Sequence, residues 1–281
     1  MCLAVLSLQP DSDWQWVIVA NRDEAHERPS ADMQPWEQDP SILAGRDLRA
    51  GGSWLGVRSD GRFALLTNYR EPGRQRPDAP SRGHLVEQFL KGPASIQDYL
   101  QALEVPAGRY NGFNLLLGQA ADWFHASNRA DMWARRIAPG TYGLSNALFD
   151  TPWPKVLLTR QAVEQQLRKS RSVSDFPNRI SGSSHEQLHG DLADLLSDIF
   201  SDKNPAPDDI LPETGVGLER ERMLSSPFIV SPGYGTRCTT VVMQHRDGQL
   251  MAQETTYFPD GAVCSKSRWS SRPDIGWTRL I

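Results

Sequence analysis

Residues 2–20 read CLAVLSLQPDSDWQWVIVA and contain two apolar runs separated by a short polar stretch. The first run spans residues 2–8 and the second spans residues 14–20, and the Pro-Asp-Ser-Asp sequence between them is typical of a tight turn. Two runs of this length joined in this way predict an antiparallel hairpin at the start of the chain. We expect this hairpin to provide two neighbouring strands of the main sheet.

The same kinds of pattern predict the other elements. Asp60-Gly61 and Asp247-Gly248 each lie between apolar runs and suit the positive φ angles of hairpin turns. Strands are predicted at 53–57, 62–67, 113–117, 123–125, 239–243 and 250–256. Helices are predicted at 83–91, 94–103, about 152–169 and about 185–200. The part between the first two hairpins is expected to be a proline-rich surface loop, and residues 170–184 an exposed connector.

Length and composition limit the class of protein. A chain of 281 residues without internal repeats or a clear linker predicts one α+β domain over residues 1–281, with strands from both ends in one sheet. A net charge of −4 provides no general attraction for nucleic acid. Three widely spaced cysteines do not form a disulfide framework and indicate a reducing compartment. The oligomeric state stays open.

No apolar run in the sequence has the length of a signal-peptide core or a membrane span. The first twenty residues are interrupted by the polar stretch at 9–13. We therefore expect a cytoplasmic protein without a transmembrane segment.

The second residue is the first candidate for chemistry. Cys2 becomes the amino terminus if Met1 is removed, as a small side chain at position two usually permits. A terminal cysteine carries a nucleophilic thiolate and an α-amino group that titrates near 7.7 to 8.0, so it holds a nucleophile and a base together. The alternative is that Cys2 is one apolar residue of a buried strand.

Polar residues follow the second predicted strand at the end that pairs with Cys2. Asp23 could hold the protonated α-amino group, and Arg22 could favour the thiolate. The alternative for this cluster is a solvated turn. Asn68 follows a predicted strand and Asn146 lies in a loop before a predicted helix, and in either place an amide could donate to an oxyanion. A turn or cap role is the alternative for each.

These residues belong to a longer pattern that resembles the NRDE family, also called the transport and Golgi organisation protein two family. Its signature is Asn21-Arg22-Asp23-Glu24. The other blocks that resemble the family are Gly45-Arg46-Asp47-Leu48, Ala50-Gly51-Gly52-Ser53-Trp54-Leu55-Gly56, Thr67-Asn68-Tyr69-Arg70, Tyr110-Asn111-Gly112-Phe113-Asn114, Gly143-Leu144-Ser145-Asn146, Asp150-Thr151-Pro152-Trp153-Pro154-Lys155 and Tyr234-Gly235-Thr236-Arg237. The resemblance covers most of the chain.

More distantly, the family is similar to N-terminal nucleophile hydrolases of the choloylglycine hydrolase and penicillin V acylase group. That similarity implies a four-layer αββα sandwich with mainly antiparallel sheets. It also implies that Cys2 is the nucleophile, Asp23 the anchor of the amino group and Asn68 an oxyanion donor, with Asn146 as a second asparagine. Arg237 matches a late arginine of the hydrolases. Their early arginine precedes the Asn-x-Asp pattern, where this chain has Ala20.

Residues for substrate contact are also predicted from these blocks. The candidates are Asn21, Arg46, Trp54 and Tyr69. For Arg46, an ion pair with Asp47 inside the loop is the alternative.

His185-Glu186-Gln187-Leu188-His189 has the spelling of a zinc-protease motif. It begins a predicted amphipathic helix, where Glu186 suits the helix dipole, and we interpret the match as a coincidence of spelling. We therefore predict neither a metal site nor a cofactor.

Two hypotheses follow. The leading one is a cysteine hydrolase that acts on a small-molecule amide or related acyl bond. The other is a binding or transfer protein that uses the same scaffold for a hydrophobic metabolite such as an acyl lipid, acyl-CoA or haem. For eukaryotic relatives, the resemblance implies a role in secretion and Golgi organisation.

Overall fold

Two antiparallel sheets form the centre of the computed structural model, which describes residues 2–9, 11–174, 185–272 and 275–281, with side chains described for all of these except residues 2, 171–174 and 185–188. We call them sheet A and sheet B and number strands and helices in chain order. Across sheet A, the described strands are β10 (Gly140–Leu144), β1 (Cys2–Leu8), β2 (Trp14–Ala25), β11 (Tyr234–His245), β12 (Leu250–Tyr257), β13 (Val263–Arg272) and β14 (Gly276–Arg279).

Sheet B takes its strands from the first half of the chain. Across this sheet, the described strands are β3 (Ser30–Trp36), β4 (Asp39–Asp47), β5 (Leu55–Arg58), β6 (Phe63–Asn68), β7 (Phe113–Gln119), β8 (Asp122–Ser127) and β9 (Ala134–Arg136). The α-helices are α1 (Gly83–Lys91), α2 (Ile96–Glu104), α3 (Pro154–Ser174), α4 (His185–Ile199) and α5 (Leu218–Ser225), and short 3₁₀ helices span Pro106–Arg109 and Asp208–Ile210.

Three apolar cores separate four layers. Between the sheets, Trp16, Phe63 and Trp123 pack with ring centroids 5.2 to 5.7 Å apart. Helices α1 and α2 cover the outer face of sheet B, and α3 and α4 cover the outer face of sheet A. The order of layers is therefore αββα, and the predicted fold class is confirmed.

Strand β2 shows why the sequence supports this architecture. Trp16 and Ile18 face the core between the sheets, while Val17 and Val19 face α3 and α4. Successive side chains of a strand point to opposite faces, so a strand covered on both faces must be apolar at nearly every position. The run at 16–20 meets this requirement.

The predicted opening hairpin, the hairpins around Asp60-Gly61 and Asp247-Gly248, and the four helices are confirmed in type and approximate bounds. The predicted surface loop between the first two hairpins is wrong, because β3 and β4 lie there. Pro35 is compatible with β3 because this strand lies at the edge of sheet B and its pairing with β4 is irregular beside Pro35. The predicted connector at 170–184 is wrong in its first residues, which belong to α3, and residues 175–184 lie outside the described residues.

Two glycines allow the chain after β4 to press against the start of α1. Gly51 and Gly52 both have φ of +73°, in the left-handed region. A Cβ on Gly52 would lie 2.3 Å from the carbonyl carbon of Gly83, and Ser53 donates a hydrogen bond to the Gly83 carbonyl at 3.1 Å. Only glycine fits such a close backbone approach.

Gly52→Ala should therefore be costly. Gly73→Ala is the matched control, because Gly73 has φ of +76° and a Cβ there would meet no atom within 4 Å. We expect about 1 kcal/mol of backbone strain from Gly73→Ala and about 2 kcal/mol more from Gly52→Ala, because the backbone of α1 must move. Urea unfolding of the two variants measures this difference; equal losses of stability would contradict the close approach.

Candidate active site

A polar cleft of about 360 Å³ lies where the end of β2 meets sheet B and the start of α1. This is an ordinary volume for a site that binds a small molecule. The lining comes from β2 and the turn after it, β4, β6, the segments at 50–54 and 75–83, and the residue at 111 before β7. The lining residues are Arg22, Asp23, Glu24, Arg28, Asp47, Ala50, Ser53, Trp54, Leu66, Asn68, Gln75, Arg76, Pro77, Ala79, Pro80, Ser81, Arg82, Gly83 and Asn111.

Backbone pairing brings the start of the chain to this cleft. Cys2 opens β1 and pairs with Arg22 of β2, which pairs in turn with Cys238 of β11. In this antiparallel register, Asp23 lies one residue beyond the partner of Cys2, on the side of the Cys2 backbone nitrogen. The side chain of Cys2 lies outside the described residues.

Arg22 is a buried cation at the edge of the cleft. Its guanidinium stacks on the ring of Trp54 at 4.2 Å, and one nitrogen lies 3.5 Å from the Ser30 hydroxyl. Among the described residues, no carboxylate forms an ion pair with it. Its positive charge is therefore not cancelled by a direct partner next to the first residue of β1.

Asp23 lies beside Arg22 and is buried. The Thr236 hydroxyl donates to its carboxylate at 2.7 Å, and the Tyr234 hydroxyl donates to its backbone carbonyl at 3.0 Å. Burial raises the pKa of Asp23, and the positive charge of Lys155 is the strongest influence that lowers it. Asp23 therefore needs nearby cations to remain ionised.

Asn68 ends β6 of sheet B and also lines the cleft. Its side-chain amide makes no hydrogen bond to any described residue, whereas its carbonyl accepts one from the amide of Asn146 at 2.8 Å. The Asn146 carbonyl in turn accepts from the backbone of Arg70 at 2.7 Å. Asn146 is buried outside the cleft lining, so it fixes the backbone of Asn68 and leaves the Asn68 amide free to meet a ligand.

Arg237 lies outside the cleft lining, behind the turn that follows β2. Its guanidinium donates to the carbonyls of Ala25, His26 and Arg28 at 3.1 to 3.3 Å. It therefore holds the backbone of this turn in place.

Of the four predicted substrate contacts, Trp54 lies in the cleft and the others do not line it. Asn21 is buried beneath sheet A, where its amide donates to the carbonyls of residues 200 and 227. Arg46 stacks on Trp36 at 4.0 Å and lies 3.7 Å from Glu87, so its ion pair is with Glu87 and the alternative pair with Asp47 does not form. Tyr69 contributes a backbone hydrogen bond to Gly112.

Sequence reasoning missed the charged residues that surround the predicted ones. Arg28 pairs with Asp47 at 2.7 Å within the cleft, and Arg70 pairs with Glu221 of α5 at 2.7 Å in a buried position. Lys155, in the first turn of α3, is buried next to this group. Asp47, Arg70 and Lys155 lie in the family blocks, which were one available signal. A lysine at the start of a helix, which is unusual for the helix dipole, was another.

The histidine motif can be followed at its second histidine. His189 packs edge-on against Trp14 with ring centroids 4.6 Å apart, and the side chains of residues 185–188 lie outside the described residues. In the part of the chain that the structure describes, no three His, Cys, Asp or Glu side chains are grouped closely enough to hold a metal ion. None of its helices is both long and apolar enough to cross a membrane.

The fold and the cleft together define an α+β protein with a four-layer αββα architecture and an arginine-rich pocket at one end of its sheets. The model of the family described as Transport and Golgi organisation 2 matches residues 1–259, and the chain belongs to that family. The predicted family is therefore confirmed.

Two relatives have nearly the same length as this chain. The Transport and Golgi organization protein 2 homolog of Bos taurus is 32% identical over 270 residues, which cover 90% of this chain and 92% of the relative. The homolog of Homo sapiens is 31% identical over 290 residues, and the match covers 97% of this chain and 97% of the relative.

Two solved structures are also similar. The Caenorhabditis elegans ortholog of N-acylethanolamine-hydrolyzing acid amidase has a TM-score of 0.43 and 10% identity, covering 85% of this chain and 92% of its own. The C2A mutant of conjugated bile acid hydrolase from Clostridium perfringens has a TM-score of 0.43 and 8% identity, and the match covers 100% of this chain and 97% of the hydrolase chain.

Behind Arg22, Glu254 of β12 is a buried carboxyl group in the core between the sheets. The backbone N–H of Met33 donates to it at 2.6 Å and the Thr240 hydroxyl at 3.3 Å. Burial is the main cause that raises its pKa from 4.5 to about 6. Burial also raises the pKa of the neighbouring Cys238 thiol, so this cysteine stays protonated and is a structural residue.

The raised pKa of Glu254 makes the stability of the protein depend on pH. The folded state favours the protonated carboxyl of Glu254. The stability that this group contributes is therefore fully present below pH 4.5 and is lost as the pH rises through 6. Glu254→Gln should therefore gain about 2 kcal/mol over wild type between pH 4.5 and pH 8. Thermal unfolding at both pH values tests this, with exposed Glu104→Gln as the control; a gain that does not change with pH would contradict it.

Proposed function

We propose that this protein is an N-terminal cysteine hydrolase that cleaves an amide or related acyl bond after Met1 is removed. The observation that carries the proposal is the convergence of Arg22, Asp23 and Asn68 on one cleft, beside the backbone position of Cys2. These are the group types that a terminal nucleophile needs: a cation for the thiolate, an anchor for the amine and a donor for the oxyanion.

In the first half of the reaction, the α-amino group of Cys2 takes the thiol proton and the sulfur attacks the substrate carbonyl carbon. The negative charge that develops on the carbonyl oxygen is stabilised by the amide of Asn68, which has no other hydrogen-bond partner among the described residues. The ammonium group then returns the proton to the leaving amine or alkoxide. The carbon–nitrogen or carbon–oxygen bond breaks and a thioester remains on Cys2.

In the second half, the α-amino group takes a proton from water, and the hydroxide oxygen attacks the thioester carbonyl. The carbon–sulfur bond breaks, the carboxylic acid is released, and the proton returns to the sulfur. Arg22 favours the thiolate through its charge, and Asp23 orients the amino group. Asn146 and Arg237 are positioning residues, because each holds backbone of the site and neither lines the cleft.

A thiol nucleophile requires a reducing compartment, and we expect the cytoplasm. The two cysteines whose side chains are described agree with this, since Cys238 and Cys264 are both unpaired. The substrate we expect is a small acyl compound, because the cleft has the volume of a small-molecule site.

The first test concerns the amino terminus and the nucleophile. Mass spectrometry of the purified protein should show that Met1 has been removed. A screen of amide, ester and thioester substrates should then detect turnover in wild type, and Cys2→Ala should abolish it while leaving the unfolding temperature within about 2 °C. Retained Met1 in active protein, or equal activity of wild type and Cys2→Ala, would refute the mechanism.

The second test concerns the oxyanion donor. Asn68→Asp keeps the shape of the side chain but removes its N–H donor, and we expect kcat to fall by about 10²- to 10³-fold. Asn111→Asp is the matched control, because Asn111 also lines the cleft but its amide already binds the backbone of Arg76. Similar losses of kcat in both variants would assign the effect to charge in the cleft, against a role for Asn68 as donor.

A second function is favoured by one observation, the charge of the cleft. Arg22, Arg28, Arg76 and Arg82 line it beside three carboxylates, Asp23, Glu24 and Asp47, and Arg28 pairs with Asp47. Trp54 and Leu66 contribute apolar surface beside them. This combination suits an apolar metabolite with an anionic group, such as an acyl-CoA or haem, carried without turnover.

Binding to protein without the nucleophile separates carriage from catalysis. If the protein is a carrier, calorimetric titration of acyl-CoA or haem into Cys2→Ala should give the wild-type Kd, with no product formed by wild type. Arg22→Gln should then raise Kd about tenfold or more, because a buried charged hydrogen-bond donor is lost. Turnover by wild type that Cys2→Ala lacks would favour the hydrolase instead.

A further inference from the structure

Charged side chains from four separate segments gather behind the cleft, around Asp23. Arg70 follows β6 and pairs with Glu221 of α5 at 2.7 Å, with both side chains about 5% exposed or less. The Arg70 guanidinium also stacks on Trp153, just before α3, at 4.6 Å. Burial lowers the pKa of Arg70, and the charge of Glu221 opposes this lowering most strongly, with a smaller contribution from Asp23.

Lys155 joins this group from the other side. Its side chain is 2% exposed, as buried as the apolar Val156 that follows it. An ammonium group is rarely buried to this degree unless a negative charge is close, because removing it from water is costly. Burial raises the pKa of Asp23, and the charge of Lys155 lowers it.

The place of Lys155 in α3 is a second cost. This helix begins at Pro154 and has no acidic residue in its first turn, so Lys155 lies at the positive end of the helix dipole. Both burial and the dipole disfavour a cation there. A position that opposes two electrostatic preferences at once indicates that the charge serves the site.

The charge of Lys155 has a direct consequence for the amino group of Cys2. An α-amino group held by Asp23 alone would be stabilised as ammonium, and ammonium cannot accept the thiol proton. A lysine that shares the same carboxylate repels a second positive charge. The charge of Arg22 also helps to lower the pKa of Asp23, and the charge of Asp23 is one of those that oppose the lowering of the Arg70 pKa. The surroundings of this carboxylate are therefore already rich in cations.

We propose that Lys155 is a positioning residue that shares Asp23 with the mature amino terminus and so keeps the Cys2 amino group unprotonated, ready to act as a base, at neutral pH. This inference rests on the proposed function, because it assigns a state to the amino group that the hydrolase mechanism uses. Its test does not use turnover, so the two can fail separately.

The test measures protonation of the α-amino group by labelling with acetic anhydride from pH 5 to 10, with the amino-terminal peptide quantified by mass spectrometry. All proteins carry Cys2→Ser, so that no thiol competes for the reagent, and the free amino terminus is verified or released with a tag protease. An ordinary α-amino group has a midpoint of about 7.7 to 8.0. We expect a midpoint below 7.5 in this parent protein.

Lys155→Met should raise the midpoint by at least about one pH unit, because the competing charge is removed and Asp23 is left to the amino group. Lys155→Arg, which keeps the charge, should leave it below 7.5. Lys169→Met is the matched control, since Lys169 lies on the same helix but is exposed, and it should have no effect.

A parent midpoint of 8 or above would overturn the inference, and so would equal midpoints in the parent and Lys155→Met. If Lys155→Met does not fold, the parent and Lys155→Arg midpoints decide the question. A low midpoint in a protein whose Cys2 form shows no turnover would leave the inference standing and refute the hydrolase. Turnover together with a midpoint of 8 or above would refute the inference and leave the hydrolase proposal standing.

Discussion

The pairing of β2 between β1 and β11 is the constraint on which the site depends. It sets Cys2, Arg22 and Cys238 in one row across three strands, at the end of sheet A where the cleft lies. A shift of one residue in this register would turn every side chain of β2 to the opposite face. The apolar run from Trp16 to Ala20 would be buried in either register, so it does not select one. The register is selected by Asn21 and Asp23, whose buried polar groups meet Thr239 and Thr236 of β11 in this pairing.

The same strand changes character where the cores end. After Ala20, β2 continues for five more residues. The first three of these, Asn21, Arg22 and Asp23, are buried. Buried polar groups require partners, and these take theirs from distant parts of the chain, such as Thr236 for Asp23 and Thr239 for Asn21. The site is therefore complete only when β11 is paired with β2.

Much of the architecture could be predicted because it follows from local pattern. The opening hairpin, the helices and the turns at Asp60-Gly61 and Asp247-Gly248 were recognisable from apolar periodicity and turn residues. Strands β3 and β4 were not, because prolines and short polar runs at a sheet edge look like a loop. The family blocks led to Arg22, Asp23, Asn68 and Trp54, which all line the cleft, but also to Arg46, which belongs to an ion pair with Glu87.

By itself, the sequence determined most of the helices and hairpins and the residue types that carry chemistry, since periodicity and turn preferences act between near neighbours. The four layers were implied by the family resemblance. Only the tertiary structure decided which charges meet. Lys155 and Asp23 are separated by more than a hundred residues, as are Arg70 and Glu221, and no local pattern relates them. Their effects on one another arise from distance and burial, and these quantities exist only once the two sheets and the helices have packed together.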